Sequence, residues 1–153
     1  MKASASCRAF IRAKEKLALS AYQDGGGVLT IGWGHTGPEV RAGDVIDLSQ
    51  ATELFDFDVA EAEAEVNRLL TVPVTQGIFD ALVSFEFNTG GLVFLAGGKA
   101  QRSTLLRALD DRRYCDAVEE LVRWNNDGGR GVRGLLIRRL EEGLMFAGEK
   151  FPT

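Results

Sequence analysis

Three clusters of glycine divide the 153-residue chain, and they limit its fold more than any other feature. They are Gly25-Gly26-Gly27 with Gly32 and Gly34, then Gly90-Gly91 with Gly97-Gly98, then Gly128-Gly129 with Gly131 and Gly134. Glycine adopts backbone conformations closed to other residues and loses more freedom when ordered. Its clusters therefore belong to turns and close backbone approaches. Three loop regions between compact elements follow, with no internal repeat and no low-complexity linker.

Between the loops the apolar periodicity is mainly helical. Ala9, Phe10, Ala13 and Leu17 recur at helical spacing and predict a first helix over residues 5–20. From Tyr22 to Val40 the chain is glycine-rich and carries Val28-Leu29-Thr30-Ile31, which predicts a short antiparallel sheet with tight turns. A helix then starts at Asp47, which can cap it while Gln50 answers three positions on in a capping box. Ala51, Leu54, Phe55, Ala62, Val66, Leu69 and Leu70 keep one face apolar up to a stop before Pro73. The remainder reads as helix. Thr75 caps a segment running to about Asn88 with Gly90 as its stop, and Ser103 caps Thr104 to about Leu109. Two amphipathic helices follow, Tyr114 to Trp124 and Leu135 to Ala147.

The fold class is thus α+β, with a small antiparallel sheet lobe and a larger helical lobe joined by a long helix. One domain over 1–153 is expected. Its sheet lobe covers about 14–50, its connecting helix about 48–70, and its helical lobe about 71–150 plus helix 5–20. A ligand belongs in a cleft between such lobes.

Composition narrows the function classes. Apolar residues are 45% and charged residues 26%, the balance of an ordinary globular protein that needs no metal or disulfide to fold. A net charge of −4 and a pI near 5.1 argue against nucleic acid as a partner, which goes with a basic excess. The basic run Arg130, Arg133, Arg138 and Arg139 is followed at once by Glu141 and Glu142, and reads as a solvated helix face with one or two inward arginines. Cys7, Cys115 and the single histidine have no metal-ligand spacing, so neither metal nor cofactor is expected. Cys115 lies in a helical context where a small buried thiol is common. No stretch approaches the ~20 apolar residues of a membrane span, and no export signal precedes the first helix. A monomer without stable membrane association is the expectation.

Glu15 near the end of the first helix, Asp24 before the glycine turn and Thr30 on the next strand suggest acid–base work. Glycosidic cleavage needs one carboxylic acid to protonate the leaving oxygen. A second carboxylate activates water or stabilises the cationic sugar centre. A threonine hydroxyl can orient that water, since it both donates and accepts. Acidic pairs at any spacing are frequent among 22 acidic residues, so these three alone do not decide the matter.

Their surroundings do. Eight residues separate Glu15 from Asp24 and five separate Asp24 from Thr30, and Ile31-Gly32-Trp33-Gly34-His35-Thr36 follows. This pattern resembles the active-site signature of the phage lysozyme (endolysin) family that includes the T-even phage enzyme. Phe79 to Phe85 leading to Asn88-Thr89-Gly90 looks like the family's central helix. Ser103 to Leu106, Arg123-Trp124, and Gly134-Leu135 through Arg138-Arg139 to Glu142 are similar to its C-terminal half. The resemblance runs from about Phe10 to Phe146, in order.

It implies a muramidase that hydrolyses the bond between N-acetylmuramic acid and N-acetylglucosamine in peptidoglycan strands, with inversion. Glu15 would be the general acid, Asp24 the carboxylate that activates water, and Thr30 the residue that positions it. Lys16 departs from the pattern, since many relatives have glycine there. An ammonium beside Glu15 would favour its ionised form unless it points to solvent. The resemblance also implies a His35–Asp58 ion pair, because Asp58 interrupts the apolar stripe of the long helix and a buried carboxylate needs a partner. It further implies an arginine, Arg138 or Arg139, beside Glu15, with at least one of the two an exposed helix residue. Gly32, Gly34 and Gly37 match a dinucleotide fingerprint formally, but no helix opens after them, so a sheet turn is the reading. Trp33 is expected to pack on the lobe and Trp124 in the core. Such an enzyme would wait in the host cytoplasm and act in the periplasm. A non-catalytic wall-binding or virion domain, and a lytic transglycosylase that leaves anhydro ends, are the alternatives.

Overall fold

The computed structural model describes residues 1–96 and 99–148. Gly97 and Gly98, and residues 149 and 150 of the expected helical lobe, lie outside the described residues. The chain forms two compact units, Arg8–Glu61 and the combination of Met1–Cys7 with the chain from Ala62 onward. This moves most of the first helix out of the expected helical lobe and into the sheet-bearing unit. The long connecting helix is shared between the two units.

In the sheet-bearing unit, α1 (Ala5–Lys14) ends six residues before the expected boundary. Its last backbone bond runs from Glu15 N–H to Ile11 O at 3.1 Å. The inner face is Cys7 and Ile11, both fully buried one turn apart, whereas Ala9 and Ala13 are exposed. Leu17, counted as helical, precedes β1 (Ala18–Gln23) and is 36% exposed. β1 pairs antiparallel with β2 (Leu29–Gly32), placing Tyr22 opposite Thr30 and Gln23 opposite Leu29. A second tight turn follows at once. Ile31 and His35 exchange backbone bonds of 3.0 and 2.9 Å, enclosing Gly32-Trp33-Gly34. Gly32 and Gly34 lie at φ +66° and +90°, where a side chain is strained.

α2 (Leu48–Leu69) opens with the capping box read from the sequence. Asp47 N–H donates to Gln50 Oε1 at 2.9 Å, and Gln50 N–H donates to Asp47 Oδ1 at 2.8 Å. The stripe it buries is Ala51, Phe55, Val59, Ala62, Val66 and Leu69. Trp33 packs edge-on against Phe55, ring centroids 5.7 Å apart, and the Arg12 guanidinium lies 4.4 Å from the Phe55 centroid. Asp58, beside the stripe, lies 2.8 Å from His35 Nδ1. His35 Nε2 is 2.7 Å from Glu39, so both ring nitrogens face carboxylates, an arrangement that favours the doubly protonated imidazole. Burial alone would push the His35 pKa down. The hydrogen bonds and charges of Glu39 and Asp58 outweigh it and raise the value above 6.5. Burial pushes the Asp58 carboxyl up, opposed by His35.

In the helical unit, α3 (Gln76–Thr89) begins at Thr75, whose hydroxyl accepts from Ile78 N–H, and stops at Gly90, φ +56°. α4 (Thr104–Asp110) is capped by Ser103 in the same way. α5 (Tyr114–Val122) and α6 (Arg133–Ala147) follow, with α3 packed on α6 and α5 on both α4 and α6. Two short hairpins interrupt what was expected to be wholly helical. β3 (Val93–Ala96) pairs with β4 (Lys99–Arg102), and β5 (Asn126–Asp127) pairs with β6 (Arg130–Gly131). Gly128 and Gly129 join the latter with both φ positive, +54° and +80°, as a two-residue hairpin turn that follows the twist of its strands requires. Residues 2–4 bond to the buried acids Glu63 of α2 and Asp80 of α3. Ala3 N–H donates to Glu63 at 2.9 Å and Ser4 N–H to Asp80 at 3.0 Å. Cys7 is buried, its thiol 3.3 Å from Asp80 O, and Cys115 is exposed rather than buried. Trp124 is 39% exposed, edge-on to Phe85 at the margin of the core.

Arg138 and Arg139 are 4% and 0% exposed, so neither is the exposed helix residue expected of one of them. They converge on the fully buried Glu142, at 3.2 Å from Arg138 Nε and 2.9 Å from Arg139 Nε. Ser84 donates to the same carboxylate at 2.7 Å, and Arg139 donates to Asn88 Oδ1 at 2.9 Å. Burial raises the Glu142 pKa against the pull of Arg139, Ser84 and Arg138.

Two outcomes follow. His35 is charged more readily in the fold than in the unfolded chain. Its contribution is therefore complete below pH ~6.5 and is lost as pH rises through the raised folded value. Thermal unfolding followed across pH 5–9 should show stability falling over that window. Asp58→Asn should flatten the dependence and cost about 2 kcal/mol at the acidic end, the usual worth of a charge-assisted hydrogen bond. Glu142→Gln should cost roughly 3 kcal/mol at pH 7, because it removes the carboxylate that two buried guanidinium groups share. Chemical denaturation measures that loss directly, and a cost under about 1 kcal/mol would contradict it.

Candidate active site

Three residues singled out from the sequence belong to the sheet-bearing unit, and local structure fixes each. Glu15 is the first residue past α1 and is half-buried. The tight turn after β2 runs against it: a Cβ built on Gly34 would lie 3.5 Å from Glu15 Oε2. The left-handed backbone at Gly34 calls for glycine, and the turn it makes carries main chain past the carboxyl at ordinary contact distance. Lys16, beside it, is exposed, so its ammonium is screened by solvent.

Asp24 closes the β1–β2 turn. Its amide bonds to Val28 O at 2.9 Å, and Gly27, φ +80°, donates back to Asp24 O at 3.0 Å. Its Oδ1 accepts from Gly26 N–H at 2.9 Å and Val28 N–H at 2.8 Å. The carboxylate is thus oriented by main chain while remaining exposed. Oδ2 is left for a solvent proton. Thr30, on β2, is 4% exposed and donates its hydroxyl to Val28 O at 3.2 Å. That bond uses its proton and leaves its lone pairs to accept. Val28 therefore links Asp24 and Thr30 through its N–H and its C=O.

His35 and Asp58 are joined as described, one residue beyond Gly34. The pairing fixes the end of the turn that meets Glu15. Sequence reasoning missed Glu39, the second partner of His35. Its i, i+4 spacing signals a pair only on a helix, and this segment is not helical. Arg138 and Arg139 belong to the other unit, where Glu142, Ser84 and Asn88 hold them. Glu142, Ser84 and Asn88 stand in stretches that resemble the family, and nothing in the sequence marks them as partners of these arginines. Among the described residues, no group of three or more His, Cys, Asp or Glu side chains is placed to hold a metal ion. Among the described residues, no helix is long and apolar enough to cross a membrane.

Comparisons with known proteins identify the family. The phage lysozyme family model matches residues 12–142. The endolysin of Bacillus phage B103 is 41% identical over 117 residues, 76% of this chain, and the chain spans 42% of that relative's length. The endolysin of Salmonella phage P22 is 35% identical over 140 residues, 89% of this chain and 91% of its own. The solved endolysin of Escherichia coli O157:H7 phage FAHEc1 matches with a TM-score of 0.80 at 31% identity, covering 100% of this chain and 98% of its own. With a family match over most of its length, and with the sheet-bearing and helical units both in place, this chain belongs to the phage lysozyme family.

Proposed function

We propose that this chain is an endolysin-type muramidase that hydrolyses the β-1,4 bond between N-acetylmuramic acid and N-acetylglucosamine in peptidoglycan and so lyses bacterial cells. The observation that supports the reading is that Glu15, Asp24 and Thr30 belong to one unit, with Asp24 and Thr30 oriented by main-chain hydrogen bonds and Glu15 beside the Gly34 turn. Glu15, half-buried against Gly34, gives its proton to the glycosidic oxygen as the bond breaks. Asp24 Oδ2 takes a proton from the attacking water, and Thr30 holds that water through its lone pairs. The resemblance to the T-even enzyme favours inversion. That outcome goes with carboxylates roughly 6.5–9.5 Å apart, against about 5 Å for retention.

The enzyme acts on glycan strands as a monomer, without stable membrane association and without a cofactor. It works on the cell wall, reaching it from the host cytoplasm when the membrane is breached.

Clearing of outer-membrane-permeabilised cells tests the assignment. Glu15→Gln should clear at least about a hundredfold more slowly than wild type, the usual worth of a general acid. Thr30→Val should lose roughly tenfold through misplaced water. Both variants should unfold within a few degrees of wild type. Full clearing by Glu15→Gln would overturn the acid.

A further inference from the structure

We infer that the sheet-bearing unit carries a second binding site, on the face of β2 opposite Thr30, for a basic peptide segment with one large apolar anchor. The site is a cavity of about 490 Å³ between residues 40–46 and the first half of α2, a volume typical of ligand sites. Ile31, Val40, Ile46 and Leu54 line it, and Val45 and Phe57 stand beside them at 73% and 56% exposed. Large apolar side chains left in water around a concavity mark a place of contact. Successive strand residues point to opposite faces. Ile31 faces the cavity, so Thr30 faces away, and none of Glu15, Asp24 and Thr30 lines it.

The walls are formed in advance. Ala21 N–H bonds to Asp44 O and Ile46 N–H to Leu19 O, both at 2.9 Å, tying residues 44–46 to β1. Charge selects the occupant. Glu39, Asp44 and Glu53 contribute carboxylates, while no lysine or arginine lines the cavity. His35 offsets Glu39 through their 2.7 Å contact. Half-buried Asp44, whose Oδ2 accepts from Arg41 N–H at 2.7 Å, and exposed Glu53 remain as acids beside an apolar floor. An apolar anchor flanked by cations satisfies both features, and an acidic segment or a second copy of this acidic chain does not.

Titration of the full chain with acetyl-Arg-Phe-Arg-amide and acetyl-Glu-Phe-Glu-amide, followed by amide NMR shifts, tests the site. The basic peptide should shift Val45, Leu54 and Phe57 and bind at least about tenfold more tightly than the acidic one, less so as salt rises. The double variant Asp44→Lys with Glu53→Lys should erase that preference, and Phe57→Ser should weaken the basic peptide by about tenfold. Glu15→Gln should bind it as wild type does, which separates this site from the catalytic assignment. Equal binding of both peptides, binding of neither, or a concentration-dependent dimer abolished by Phe57→Ser would overturn the inference.

Discussion

His35, held between Asp58 and Glu39, is the contact on which the proposed catalytic arrangement depends. Its own backbone bonds to Ile31 close the turn in which Gly34 meets Glu15, and its ring ties that turn to the middle of α2. Asp58 needs the pairing as well, since burial disfavours its charge and the imidazolium favours it. One side chain therefore settles two problems. It supplies the counter-charge for a partly buried acid and fixes the main chain beside the proposed proton donor. Trp33 and Arg12 stack on Phe55 a turn away on α2, so the same junction is held by apolar and charged contacts together.

The helical unit meets a similar problem with a different balance. Glu142 is wholly buried with two guanidinium groups and a hydroxyl around it. Such a cluster adds little over a well-packed apolar core, yet losing one member leaves charge without compensation. What it supplies is position. Hydrogen bonds to Ser84 and Asn88 fix the face of α6 against α3, which helix packing alone would leave free to shift.

Much of the fold was legible where the sequence carries a local rule. The Asp47–Gln50 capping box, the Thr75 and Ser103 caps and the Gly90 stop follow from backbone donors and acceptors that must be satisfied at helix ends. The first helix was drawn too long because Ala9 and Ala13 matched a periodicity whose buried members are Cys7 and Ile11. In so short a helix two alanines weigh as much as one real core residue. Both hairpins of the helical unit were missed although Asp127-Gly128-Gly129-Arg130 carries a turn signature, because helical periodicity on either side dominated. The same logic that marked Asp58, an acid amid apolar neighbours, also applies to Asp80 in Phe79-Asp80-Ala81 and to Glu63 beside Ala62. Both hold residues 2–4. The roles of Glu15, Asp24 and Thr30 came from pattern resemblance rather than physics, since nothing local distinguishes a catalytic carboxylate from a solvated one. What the structure adds is the main-chain bonding that orients Asp24 and Thr30, and the glycine backbone against Glu15.

The central claim is hydrolysis of a glycosidic bond by a carboxylic acid and an activated water. Mass spectrometry of purified peptidoglycan digested by this protein addresses it most directly. The account predicts soluble fragments ending in reducing N-acetylmuramic acid, with oxygen from labelled water at the new end. Anhydro ends, or strands left uncut, would contradict it.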